Sequence, residues 1–172
     1  LGDFIGPKYN PDLTYGMYID DRDHHVYMTI NIGGKLWMAD NLNYADSSAT
    51  PNLAGQSWCY DNDSTNCNVF GRMYTWSAAM DLPSAFLDSS YDEEEGFHQG
   101  ICPEGWHIPT DEELNSVTFE GSPLSAFMTG SDNASGFSVI PGGAAYAETE
   151  YGDSDEYTGV MHFEAMESYT TT

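Results

Sequence analysis

The segment Gly-Ile-Cys-Pro-Glu-Gly-Trp-His-Ile-Pro-Thr-Asp-Glu-Glu-Leu, residues 100 to 114, constrains the fold more than any other stretch of the chain. Pro103 and Gly105 demand a turn, while Trp106 and Ile108 present large apolar side chains that need a core. Pro109 stops the extended run. Thr110 followed by Glu113 then makes a capping box. The threonine hydroxyl accepts from the Glu113 amide, and the Glu113 carboxylate reaches back to the Thr110 amide. Asp111, Glu112 and Glu113 sit where a helix dipole favours negative charge. The prediction is a short extended piece anchored by Trp106 that feeds a helix over 111–118, with Leu114 and Val117 facing inward.

Upstream, Val26, Met28, Ile30 and Ile32 alternate with Tyr27, Thr29 and Asn31, the period of a half-buried strand. Gly33-Gly34 supplies a hairpin turn, and Lys35 to Met38 returns antiparallel. Residues 16–20 form a further predicted strand, followed by a turn at Asp20 to Asp23. Residues 39–57 have the composition of a loop. Trp58-Cys-Tyr is a short extended piece, and Asp61 to Asn66 a turn. Met73, Trp76, Ala79 and Met80 recur at helical spacing, which predicts a helix over 72–80 ended by Pro83. Residues 84–99 read as an acidic loop, 124–128 as a weak helical turn, and 137–140 as a strand. Two more strands are expected near 144–149 and 158–165. Residues 1–15, with Pro7, Pro11 and no apolar period, read as an arm or linker, and 16–172 as a single domain. The expected class is α+β, with small antiparallel sheets and two short helices.

Charge narrows the partners. The chain carries 28 acids against four cations, a net charge of −24. A phosphate backbone is repelled by such a field, so nucleic acid is not an expected partner. No apolar run approaches the ~20 residues needed to span a bilayer, and membrane insertion is not expected either. Hydrophobic content of 40% with 14% aromatics still supports a packed core. Cys59 and Cys67 flank a polar turn, which suits a disulfide in an oxidising, extracellular or cell-surface location. Cys102 is left unpaired.

The residue pattern points away from several chemistries. Neither cysteines nor histidines show a zinc spacing. Calcium is the better candidate, with oxygen ligands at Asp61 and Asp63 and at Asp153 and Asp155. Neither cluster is an EF-hand: counted from Asp61, Asn66 stands at the glycine position and Arg72 at the bidentate glutamate position. No phosphate-cradling loop and no nucleophile elbow is present, since the sequences around Ser57 and Ser154 lack the closing glycine. Carboxylate pairs abound in so acidic a chain and carry no weight for a glycosidase. The chain reads as non-enzymatic. Trp37, Trp58, Trp76 and Trp106 all lie in apolar patterns and are expected in the core, Trp58 being the most exposed of them. Trp58 and Tyr60, with Tyr91, Tyr146 and Tyr151, are the candidates for stacking on an extracellular glycan.

Three stretches also carry a family resemblance. "CPEGWHIPTDEE", "NIGGKLWMADNLNY" (31–44) and "WCYDNDSTNC" with "FGRMYTWSAAM" (58–80) resemble the motifs of the Fibrobacter succinogenes major paralogous domain, found in secreted and surface proteins of bacteria. "GWHIPTDEE" is more distantly similar to a motif of formylglycine-generating enzymes and C-type-lectin-like domains. The resemblance implies a C-type-lectin-like or related fold. The expected function is a secreted or surface-displayed binding or adhesion module, with a structural subunit of an extracellular assembly second and a hydrolase third. The resembled family continues into further strands ending near a cysteine, the natural partner of Cys102. The chain is therefore expected to lack its C-terminal strands, to receive one from another chain at an open sheet edge, or to be a family variant that covers that edge itself. That contact is expected around Cys102 and residues 158–168, joining like or unlike subunits.

Overall fold

The computed structural model describes residues 9–86, 98–117 and 133–138. The expectations for the acidic loop beyond Phe86, for residues 118–132 and for the strands after Ser138 lie outside them. The described part is α+β. Strands β1 (Gly16–Ile19), β2 (Val26–Ile32) and β3 (Lys35–Met38) form an antiparallel sheet in the order β1-β2-β3. Gly33 and Gly34, both at positive φ, make the β2–β3 turn as expected. A second, two-stranded sheet pairs β4 (Ser57–Trp58) with β5 (Met73–Tyr74). The helices are α1 (Ser64–Phe70), α2 (Trp76–Ala79) and α3 (Asp111–Val117). Among the described residues, no helix is long and apolar enough to cross a membrane.

Around the middle of β2 and along β3 the sheet is buried on both faces, where the alternation predicted one, while β1 stays largely exposed. Ile30 and Trp37 lie on one side with Val117 and Phe137, and Met28, Ile32 and Leu114 pack against them. Tyr27 and Met38 lie on the other with Leu42, Tyr44, Tyr74, Ile101 and Trp106. Tyr27 reads as an outward residue but is fully buried, because its hydroxyl accepts from the Asn43 amide at 3.0 Å and so needs no water. The 39–57 segment is irregular as expected, yet Leu42, Tyr44 and Leu53 make it part of the core. Residues 9–15, read from composition as an arm, also pack on the sheet. Tyr9, Leu13 and Tyr15 pack on its Ile30–Trp37 face, and Asn10 Nδ2 donates to the Asn133 carbonyl at 3.0 Å.

Two helices differ from expectation. Residues 61–66, predicted as a turn, contain the start of α1, because Asp63 accepts from the Thr65 amide and caps a helix that Cys67 and Phe70 anchor inward. The helix predicted over 72–80 is only Trp76–Ala79. Met73 and Tyr74 are captured by β4, and α2 begins after Thr75, whose Oγ1 accepts from the Ala78 amide at 3.2 Å.

The Gly100–Leu114 segment is tied to its surroundings through backbone and one arginine. The Ile101 amide donates to the Ala79 carbonyl at 3.0 Å and the Ile108 amide to the His98 carbonyl at 2.8 Å. Arg22 binds the buried Asp20 through Nε and Nη2, donates from Nη1 to the Ile101 carbonyl at 2.8 Å, and lies 3.8 Å over the Tyr44 ring. Two glycines permit contacts that a side chain would block. A Cβ on Gly100 (φ +54°) would collide with the Ala79 carbonyl and Ile108, and one on Gly71 (φ +74°) with Asn41.

Candidate binding site

Glu113 is the hub of the polar structure. The capping box forms as predicted: the Thr110 amide donates to Glu113 Oε2 at 3.0 Å, and the Glu113 amide to Thr110 Oγ1 at 3.3 Å. Two further partners converge on this buried carboxylate. Lys35 Nζ donates to Oε1 at 2.8 Å and His107 Nε2 lies 3.1 Å from Oε2. Burial alone would raise its pKa. Lys35, the Thr110 amide and His107 outweigh that and hold it at about 2. An ionised carboxylate only accepts, so His107 Nε2 carries the hydrogen in this contact.

The network floors an open groove of about 490 Å³ between the β2–β3 turn and α3. Ile32, Gly33 and Lys35 line one wall, and Glu112, Ser116 and Val117 the other. Apolar surface from Ile32 and Val117 therefore stands beside an ammonium, a hydroxyl and an exposed carboxylate. That mixture suits a polar ligand with some C–H surface.

A smaller pocket of about 270 Å³ lies beside the disulfide, with Tyr9, His25, Asp40, Asn41 and Asn68 among its lining residues. Several of these polar groups are engaged internally. Asp40 Oδ1 accepts from the Tyr9 hydroxyl and Oδ2 from the Met28 amide, both at 2.6 Å, and Asn41 Nδ2 donates to the Phe70 carbonyl at 2.7 Å. Burial first, then Asp40, pushes the Tyr9 hydroxyl well above its ordinary pKa, so it stays a neutral donor. In this pocket Tyr9, Asp40 and Asn41 are spent on tying parts of the fold together, whereas Glu112 and Ser116 of the groove over Glu113 are exposed.

The residues singled out from sequence are scattered. Trp58 and Tyr60 are both half-buried, and neither lines the groove or the smaller pocket. The Tyr60 ring stands edge-on to Phe70 at 6.2 Å. Trp37 and Trp106 are in the core and Trp76 is half-buried. Asp61 and Asp63 are exposed. Asp63 Oδ1 takes the Thr65 amide at 2.9 Å and hydroxyl at 2.7 Å, which lower its pKa. Among the described residues, no group of three or more His, Cys, Asp or Glu side chains could hold a metal ion. Tyr91, Tyr146, Tyr151, Asp153 and Asp155 lie outside the described residues. Cys102 is buried in the core cluster that holds Trp106 and Ile101. Lys35 and His107 were not singled out. For Lys35 the signal was scarcity, since it is one of four cations among 28 acids; His107 offered none beyond its place in the motif.

Cys59 and Cys67 are bonded, with α-carbons 5.1 Å apart, and the bond ties the end of β4 to α1. Such bonds persist in oxidising compartments, which places folding outside the cytoplasm. Removing it by a double Cys→Ser substitution is expected to cost about 2.5 kcal/mol, from the loop-closure entropy of so short a ring. Urea denaturation measures the loss. An unchanged midpoint would mean the ring contributes nothing to stability.

A family model described as the Fibrobacter succinogenes major domain matches residues 30–171. The match takes in β3, the disulfide with α1, and the whole Gly100–Leu114 segment. No curated protein and no solved structure matches the chain.

Proposed function

From the premise that the chain belongs to the Fibrobacter succinogenes major domain family, we propose that it is a non-catalytic binding module, secreted or displayed on a bacterial surface, that holds a glycan in the groove over Glu113. One observation carries this reading. Two of the three stretches that carry the family motifs, 31–44 through Ile32–Lys35 and 100–114 through Thr110–Glu113, meet at that groove, which is open and of ligand size. Its chemistry agrees. Glu112 and Ser116 offer an acceptor and a hydroxyl, while Ile32 and Val117 offer apolar surface to a sugar ring.

The same geometry supports binding without catalysis. A hydrolytic acid needs a carboxyl group that is protonated near neutral pH. Glu113 is saturated by donors and held ionised with a pKa of about 2. It positions Lys35 and the start of α3 and has no proton to give.

The test is a glycan array probed with the labelled protein, followed by Glu112→Ala and Ser116→Ala. Glu112→Ala is expected to weaken binding about tenfold, the effect of one lost charge-assisted hydrogen bond, and Ser116→Ala, which removes a neutral hydroxyl that already donates to the Glu113 carbonyl, about threefold, with the melting temperature unchanged. An array without any bound glycan, or variants that bind as the parent does, would sink the proposal.

A further inference from the structure

A different surface has no role in the groove. Met17 and Ile19 on β1 are 74% and 56% exposed, and Val26 on β2 is 49% exposed. The register sets Met17 opposite Met28 and Ile19 opposite Val26, so these side chains share one sheet face. Val69 of α1, also 49% exposed, lines the same pocket as Val26 and Met28 and extends the patch.

β1 is an edge strand, and its outer edge is open among the described residues. The phase of the ladder identifies which residues face outward. The Asp20 amide donates to the His25 carbonyl at 2.9 Å, which makes that pair hydrogen-bonded. Hydrogen-bonded and non-bonded pairs alternate along an antiparallel ladder. Tyr18 and Gly16 therefore bond β2, while Met17 and Ile19 turn their N–H and C=O groups away from the sheet. The residues with outward backbone groups are the ones with the most exposed apolar side chains. Edges meant to stay single carry charges or proline, and Gly-Met-Tyr-Ile has neither.

We propose that β1 is a docking edge for an extended segment of a basic partner protein, which adds to the sheet as a fourth strand. Its apolar side chains would cover Met17, Ile19 and Val26. Charge selects the partner. Asp21 and Asp23, both exposed, follow β1 directly, and the cation between them, Arg22, is bound to Asp20 and the Ile101 carbonyl. A second copy of this chain would bring another −24 of charge to the same place and is disfavoured. Lysine or arginine at the end of the incoming strand beside Asp21 and Asp23 is favoured.

The probe is a fluorescent peptide of alternating valine and threonine ending in two lysines, titrated into the full chain and followed by anisotropy and by amide exchange. Binding is expected to protect the Met17 and Ile19 amides. It should weaken about tenfold or more when alternate peptide nitrogens are methylated, when glutamates replace the lysines, or in the Ile19→Lys variant. Asp21→Asn with Asp23→Asn should flatten the salt dependence. Glycan binding, if present, should be untouched by Ile19→Lys, which keeps this test separate from the groove. Equal binding of the methylated peptide, or unprotected Met17 and Ile19 amides in the complex, would overturn the proposal. So would sedimentation of the free protein as a dimer that Ile19→Lys dissolves, since a second copy would then hold the edge.

Discussion

Glu113→Ala is expected to destabilise the fold by about 3–5 kcal/mol, the cost of removing one partner from a buried, multiply bonded ion pair. The substitution removes the Glu113 contact of the buried His107 Nε2, frees Lys35, and deprives the Thr110 amide at the start of α3 of its cap. A single domain is stable by only about 5–15 kcal/mol, so the loss should be visible as a large drop in the urea midpoint. Glu113→Gln keeps the volume and one acceptor and should cost less, about 2 kcal/mol. A pH series separates the ionic part. The carboxyl pKa is about 2 in the fold against an ordinary 4.5. Its contribution is therefore complete above pH 4.5 and is lost as pH falls toward 2, amounting to about 3 kcal/mol at most. Other acids titrate in the same window, so the informative quantity is the difference between parent and Glu113→Ala. That difference should shrink below pH 4.5. A constant gap from pH 6 to pH 2 would show that Glu113 acts by packing alone.

Gly71→Ala is expected to be comparably severe. Gly71 follows α1 with φ 74° and ψ −164°, a combination that side-chain-bearing residues essentially never adopt. An added Cβ would also run into the Cβ and backbone of Asn41, whose amide side chain holds the Phe70 carbonyl. Strain and collision together should cost about 3 kcal/mol or more. Gly55→Ala is the control. Gly55 has φ +68° with nothing within 4 Å of the added carbon. It should cost only the left-handed penalty, about 1 kcal/mol. Thermal melts of both variants decide the matter. If the two fall by the same amount, the contact with Asn41 yields freely and closeness at Gly71 is not what the fold requires.

Local rules made the segment around Glu113 legible. Thr110 and Glu113 are three residues apart, and their capping box depends on nothing distant. The Gly33-Gly34 hairpin is legible for the same reason. Elements decided by distant partners were not. Met73 and Trp76 carry a helical spacing, yet Met73 and Tyr74 pair with Ser57 and Trp58 across the disulfide loop, and the helix starts late. Tyr27 looked outward-facing until the 39–57 segment covered it and Asn43 satisfied its hydroxyl. At the groove, the Glu113 cap could be read from sequence, but Lys35, 78 residues away, could not be assigned to it. Trp58 and Tyr60 were marked for their aromatic chemistry, a property that says nothing about which cavity a side chain lines.

The buried thiol of Cys102 has a practical consequence. Its pKa is pushed up to about 12 by burial, so almost none of it is thiolate at neutral pH, and reagents cannot reach it. The intact protein should therefore ignore iodoacetamide and should not shuffle its disulfide, even with an odd cysteine in an oxidising medium. Once the core opens, the thiol regains ordinary reactivity. Labelling of this one atom then counts openings of the core, and the chain carries its own clock for how often it comes apart.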